Sequence, residues 1–199
     1  MMAFSKKNVP MIADTVDFLN IMTYDLMNRR DNVTKHHTGL KASEEAVKAY
    51  LDNGLPPSKA NLGFAFYVKC FKTASNGGCD SNPVGCKTTL MEDPETGRDL
   101  GQTGGFSWHD DVPSEYAASF KKALRNGQYD EVDGGHFFWD SDEDLFWTWD
   151  TAEAVARKIP AIVDEYKLGG VFAWGLGEDA PRWEHLKSLT AAFRGRKQL

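Results

Sequence analysis

Apolar and polar positions follow two different rhythms along this chain, and the rhythm changes twice. Positions 16–24 form a short apolar run containing Val16, Phe18, Leu19, Ile21 and Met22 that ends in polar residues, the pattern of a strand buried on both faces. A polar loop follows over 28–42. Ser43 is then placed to cap a helix on which Ala46, Val47, Tyr50 and Leu51 share one face, and Asn53 and Gly54 with two prolines beyond end it. A second apolar run at 60–67 reads as another strand. From Cys70 to about Asp150 the character changes to Gly, Asn, Asp and Thr clusters, with aromatic runs at 135–139 and 145–149 spaced for short antiparallel strands. One helix, at about 114–125, carries Ala117, Phe120 and Leu124 on one face and stops at Gly127. Regular alternation returns at Thr151, where a stripe of Val155, Ile159, Ile162, Val163 and Tyr166 leads through Gly169 and Gly170 into a strand at 171–174 and a last helix at about 183–193. Outside the middle segment the order is strand, helix, strand, helix, strand, helix, which predicts an α/β fold with parallel strands. The middle segment predicts an α+β subdomain inserted between a strand and its helix. The boundaries are 1–72, 73–150 and 151–199.

Composition narrows the function classes. The 199 residues are 41% hydrophobic and 12% aromatic, enough for a packed core. The net charge of -6 comes from scattered acids, with no Lys/Arg block to track phosphates, which excludes nucleic acid as a partner. No apolar run approaches the roughly 20 residues of a membrane-spanning helix, so no membrane partner is expected. After Lys6 and Lys7 no apolar stretch follows, so the start does not read as a secretory signal. Of the three cysteines, Cys79 and Cys86 flank a Gly- and Pro-containing loop. They either close that loop as a disulfide in an oxidising compartment or stand as free thiols.

Three motifs carry a resemblance. Met22, Tyr24 and Asp25 at the end of the first run match the Met-x-Tyr-Asp of the sixth barrel strand in family 18 glycoside hydrolases, and the extension to Gly39 is similar to fungal members. Gly63 and Tyr67 match strand seven, where the family's Arg is replaced by Lys69. Trp174 ends a segment resembling strand eight, and 147–150 resembles the end of the chitinase insertion domain between strands seven and eight. The resemblance implies the last three βα units of a (β/α)8 barrel with an inserted α+β subdomain. It also implies chitin or chitooligosaccharides as ligand, an extracellular setting for the family, and a substrate-assisted retaining mechanism. Met22, Tyr24, Asp25, Tyr67, Lys69 and Trp174 are the implied substrate-binding residues. Tyr24 and Asp25 would hold the acetamido group, and Trp174 would stack beneath a sugar. Met22 and Tyr67 fit a core role equally well.

The Asp-x-x-Asp-x-Asp-x-Glu that supplies the family's acid matches no register of this sequence. The expectations are therefore a chain whose first Met is an internal methionine of a longer protein, no catalytic residue, and no hydrolysis by the chain alone. A non-catalytic oligosaccharide binder and a truncated gene-model product are the alternatives. No cofactor and no metal are expected. Asp140 to Asp144 resemble the start of a calcium loop, but Leu145 stands where Gly is needed and Thr151 where a bidentate Glu is needed. His36 and His37 are adjacent and should point apart. Gly175-Leu176-Gly177 departs from a dinucleotide loop at Ala180 and Pro181.

Overall fold

The computed structural model describes residues 4–196; Met1, read above as an internal methionine, lies outside them. In chain order the elements are α1 (Asn8–Thr15), β1 (Leu19–Ile21), α2 (Leu40–Asp52), β2 (Ala60–Ala65), β3 (Tyr67–Lys72), β4 (Thr103–Ser107), α3 (Ser114–Asn126), β5 (Gln128–Asp130), β6 (Gly135–Asp140), β7 (Leu145–Trp149), α4 (Ala152–Lys158), β8 (Gly170–Trp174) and α5 (Glu184–Arg194). They build two sheets. One is parallel, in the order β1-β2-β8; the other is antiparallel, in the order β4-β3-β7-β6-β5.

In the parallel sheet, alternate residues explain the layering. Leu19, Ile21, Leu62, Phe64, Val171 and Ala173 pack into one core with Val47, Val155, Ile159, Ile162, Val163 and Leu189 of the helical layer. Each fully buried side chain of this size contributes about 1.5–3 kcal/mol. Successive side chains point to opposite faces, so Asn20, Met22, Asn61, Gly63, Ala65, Phe172 and Trp174 lie away from the helices. Contacts on that face agree: Asn61 donates to Asn20 at 2.9 Å, and a Cβ added to Gly63 would sit 2.8 Å from the Phe172 ring and 2.6 Å from Ile21 O. Gly63 is there because the strands approach too closely for any side chain.

Three expected boundaries moved, each for a tertiary reason. The run at 16–24 is regular only over Leu19–Ile21, because the Thr23 hydroxyl takes over the pairing, donating to Gly63 O at 2.7 Å and accepting from Gly63 N–H at 3.1 Å. The second strand stops at Ala65; Phe66 N–H donates to Trp174 O at 2.8 Å, its buried ring anchors the turn, and Tyr67 begins a strand of the other sheet. Helix α2 starts at Leu40 and not after Ser43. The Leu40 and Lys41 N–H groups donate to Gly134 O and Asp133 O at 2.8 and 3.1 Å, so the turn between β5 and β6 satisfies the helix end that a side-chain cap would otherwise serve. On α3 the buried stripe is Ser119, Phe120 and Ala123, with Leu124 exposed.

The antiparallel sheet has its own core of Val68, Cys70, Phe106, Phe120, Ala123, Leu145, Trp147 and Trp149. The indole N–H of Trp147 donates to Ser119 Oγ at 2.9 Å, so its polar atom is satisfied. Cys79 and Cys86 form a disulfide, and Cys70 is buried and free, its thiol pushed up to about 12 by burial.

Candidate functional site

Strands β1, β2 and β8 run in the same direction, so their C-terminal ends share one edge of the sheet, where the chain delivers Tyr24 and Asp25, Tyr67 and Lys69, and Trp174. Asp25 has a φ of 53°, a left-handed backbone that L residues with side chains adopt at a cost. Tyr67 and Lys69 are two apart on β3 and share a face, while Val68 between them is buried in the core opposite. Both donate to one atom: Tyr67 OH and Lys69 Nζ each lie 2.9 Å from Asp25 Oδ1. Among the described residues no protein donor reaches Oδ2, and the Asp25 side chain is 48% exposed, so that oxygen remains free to accept from a ligand.

The Tyr24 ring packs edge-on against Tyr67 and Phe172, with centroids 6.3 and 6.2 Å apart. Trp174 is in register with Ala65 and leaves its indole 60% exposed. Met22, 68% exposed, shares the non-helical face. Among the described residues no hydrogen bond or ring contact joins Met22 or Trp174 to the Asp25 group. The site thus gathers Tyr24, Asp25, Tyr67 and Lys69 into contact and sets Trp174 beside them.

Charge and burial tune these groups. Burial, and then the Asp25 carboxylate, raise the phenol of Tyr67 far above its ordinary value, and the same two causes raise Tyr24. Both remain protonated donors at neutral pH. Beside them a cavity of about 450 Å³ is lined by Asn28, Arg29, Arg30, Lys69, Phe71 and Gly104 among others, within the size range of small-ligand clefts. Arg29 pairs with Glu92 and Asp99, and Arg30 with Glu92, so its cations are compensated.

Two neighbours of the site were not anticipated. His37 is fully buried, its ring 5.4 Å from that of Tyr67 and its Nδ1 3.9 Å from Asp25 Oδ1. Glu178 accepts from Gly175 N–H at 3.0 Å, its backbone carbonyl accepts from Trp108 N–H at 3.0 Å, and its carboxyl is raised by burial and then by Asp110 and Asp25. Nothing in the local pattern marks either one, since both matter only through contacts made across the fold. The loop holding Glu178 ends on Asp179, which accepts from the His185 and Leu186 backbone N–H groups and lies 2.7 Å from His185 Nδ1; His185 Nε2 lies 2.8 Å from Asp150 O. His36 bonds to Asp130 at 3.0 Å, and Asp140 and Asp142 are bridged by Lys122. Among the described residues no cluster of His, Cys, Asp or Glu is arranged to hold a metal ion.

The sequence profile described as Glycosyl hydrolases family 18 matches residues 2–179. The chain belongs to this family. Endochitinase 1 of Metarhizium robertsii is 24% identical over 187 residues, covering 88% of this chain and 39% of the relative. A family 18 chitinase from Cycas revoluta, solved in complex with (GlcNAc)3, superimposes with a TM-score of 0.67 at 20% identity, over 93% of this chain and 49% of that one. A chitinase from Rhizomucor miehei gives 0.71 at 21% identity, over 92% and 55%. The mixed α/β fold is therefore that of family 18 chitinases, and the chain spans between about two fifths and about half the length of these relatives. Among the described residues no helix is long and apolar enough to cross a membrane.

Proposed function

We propose that this family 18 chain forms the substrate-cradling side of a chitinase-type site and binds chitooligosaccharides, with Tyr24, Asp25, Tyr67, Lys69, Trp174 and Met22 as its contacts. The observation that carries the reading is the convergence of Tyr67 and Lys69 on Asp25 Oδ1 beside an exposed indole. A carboxylate with one oxygen locked and the other open suits an acetamido N–H, and an exposed Trp suits the apolar face of a pyranose. Placement at the C-terminal ends of parallel strands supports it, because barrel enzymes build their sites there. In this reading the strands β1, β2 and β8 are the last three of a (β/α)8 barrel. The segment 73–150 with β3 is the inserted subdomain. The disulfide between Cys79 and Cys86 supports an oxidising compartment.

Hydrolysis needs a carboxylic acid beside the glycosidic oxygen, and the family's acid motif is not in this sequence. A positioned general acid contributes typically 10²–10⁴-fold. The proposal is accordingly binding without turnover by the 199-residue chain. Titration of the chain with (GlcNAc)3, alongside hydrolysis of a fluorogenic chitobioside, tests both halves; absent binding refutes the first and robust turnover refutes the second.

A further inference from the structure

Beneath Asp25 lies a histidine whose polar atoms the fold leaves unused. His37 is entirely buried, and neither ring nitrogen has a hydrogen-bond partner. A buried polar group without a partner is rare enough to need a cause. Its backbone is fixed: Leu26 N–H donates to His37 O at 3.0 Å, and the next residue's carbonyl, Thr38 O, accepts from the buried Lys158 ammonium. The ring leans on Tyr67 with its centroid 5.4 Å away, and Nδ1 faces Asp25 Oδ1 at 3.9 Å. Burial, and then the Lys69 and Lys158 cations and His36, hold its pKa well below the ordinary histidine value. The ring is neutral at pH 7 and carries one N–H.

The distance of 3.9 Å is too long for a hydrogen bond, and a modest rotation of the half-exposed Asp25 side chain would close it. With Oδ2 accepting from a ligand N–H and Oδ1 turned to the imidazole, the carboxylate would be held through both oxygens. Oδ1 already accepts from Tyr67 and Lys69, and Nδ1–H would be its third donor. We propose that His37 is a positioning residue for Asp25, donating from Nδ1 to Oδ1 when an acetamido-bearing sugar occupies Oδ2. This inference rests on the oligosaccharide-binding reading above and deepens it. The simpler account, in which the ring only packs against Tyr67, leaves the orientation of Nδ1 toward Asp25 without a reason.

Two side chains separate donation from packing. In His37→Asn the amide nitrogen can occupy the place of Nδ1 and keep the donor; His37→Leu fills the space and removes it. With (GlcNAc)3 as the probe in titration calorimetry, His37→Leu should weaken binding about tenfold and His37→Asn less than about threefold. Equal binding by His37→Leu and the wild type would overturn the proposal, as would equal losses in both variants. Nitrogen NMR of the ligand-free chain supplies a readout that does not depend on the sugar. The neutral tautomer should be Nδ1–H, with its resonance moved by Asp25→Asn; an Nε2–H tautomer or an unmoved resonance would overturn it. Should the wild type bind no oligosaccharide, the functional reading fails by itself, and the ring measurement still decides whether Nδ1 serves Asp25.

Discussion

Lys69 donates to Asp25 Oδ1 at 2.9 Å from a position where the resembled family carries Arg. An ammonium is a point charge on a flexible stem, whereas a guanidinium offers a planar fork. Here the second donor to Oδ1 is Tyr67, also at 2.9 Å, so two separate side chains hold one oxygen and leave Oδ2 open. Lys69→Ala should therefore weaken (GlcNAc)3 binding about five- to tenfold, consistent with a charged hydrogen bond. Thermal stability should change little, because half-exposed ion pairs contribute about 0–1 kcal/mol. Calorimetric titration paired with a melting curve checks this, and a large drop in melting temperature would make Lys69 structural.

Lys158 and Asp150 form an ion pair that is fully buried, and the ammonium also donates to Thr38 O. Removing one partner strands a charge. Lys158→Met should destabilise the fold by about 3–5 kcal/mol, and adding Asp150→Leu should recover much of it. Urea denaturation of the two variants measures the difference; an equal or larger loss in the double variant would contradict the account.

Three histidines, His36, His37 and His136, have pKa values lowered mainly by burial. A lowered histidine is neutral when folded and binds a proton on unfolding below its ordinary value. The unfolded chain then holds more protons, so stability is full above about pH 6.5 and falls as pH drops. For the fully buried His37 the limiting slope is about 1.4 kcal/mol per pH unit. Unfolding free energies at pH 7, 6 and 5 should decline, and His37→Gln should flatten the decline. An unchanged slope would show that this ring takes up a proton in the folded state.

A fluorogenic chitobioside should be turned over by the 199-residue chain at no rate meaningfully above background. In the proposed reading Asp25 holds the acetamido group, and its Oδ1 already accepts from Tyr67 and Lys69, so it is poorly placed to protonate a leaving group. Turnover abolished by Asp25→Ala would overturn this.

Much of this arrangement was legible because strong periodicity and burial agree. Val155, Ile159, Ile162 and Val163 read as one helical stripe and are buried together, and the parallel order of the three strands follows from the alternation of strands and helices. The Met-x-Tyr-Asp end of the first run and the Trp ending the last one lead to the edge where Asp25 and Trp174 lie. What escaped was long-range. Ser43 has the chemistry of a cap, yet Gly134 and Asp133, about 90 residues further on, satisfy the helix start instead. From Leu62 to Phe66 the run is apolar without a break, so nothing local shows that Phe66 turns the chain from one sheet into another. His37 looked like half of an adjacent pair with no common target, and its place under Asp25 comes from the path of the whole loop.

The most direct test of the binding claim is calorimetric titration of (GlcNAc)3 into the chain and into Trp174→Ala, with circular dichroism to confirm that both are folded. Trp174 is exposed at the same C-terminal edge of the sheet as Asp25, and loss of aromatic stacking costs about 1–3 kcal/mol where bases stack on such rings. The account predicts saturable binding by the wild type, weakened at least about fivefold in Trp174→Ala. A folded wild type that binds no (GlcNAc)3, or equal affinity in the two proteins, would contradict it.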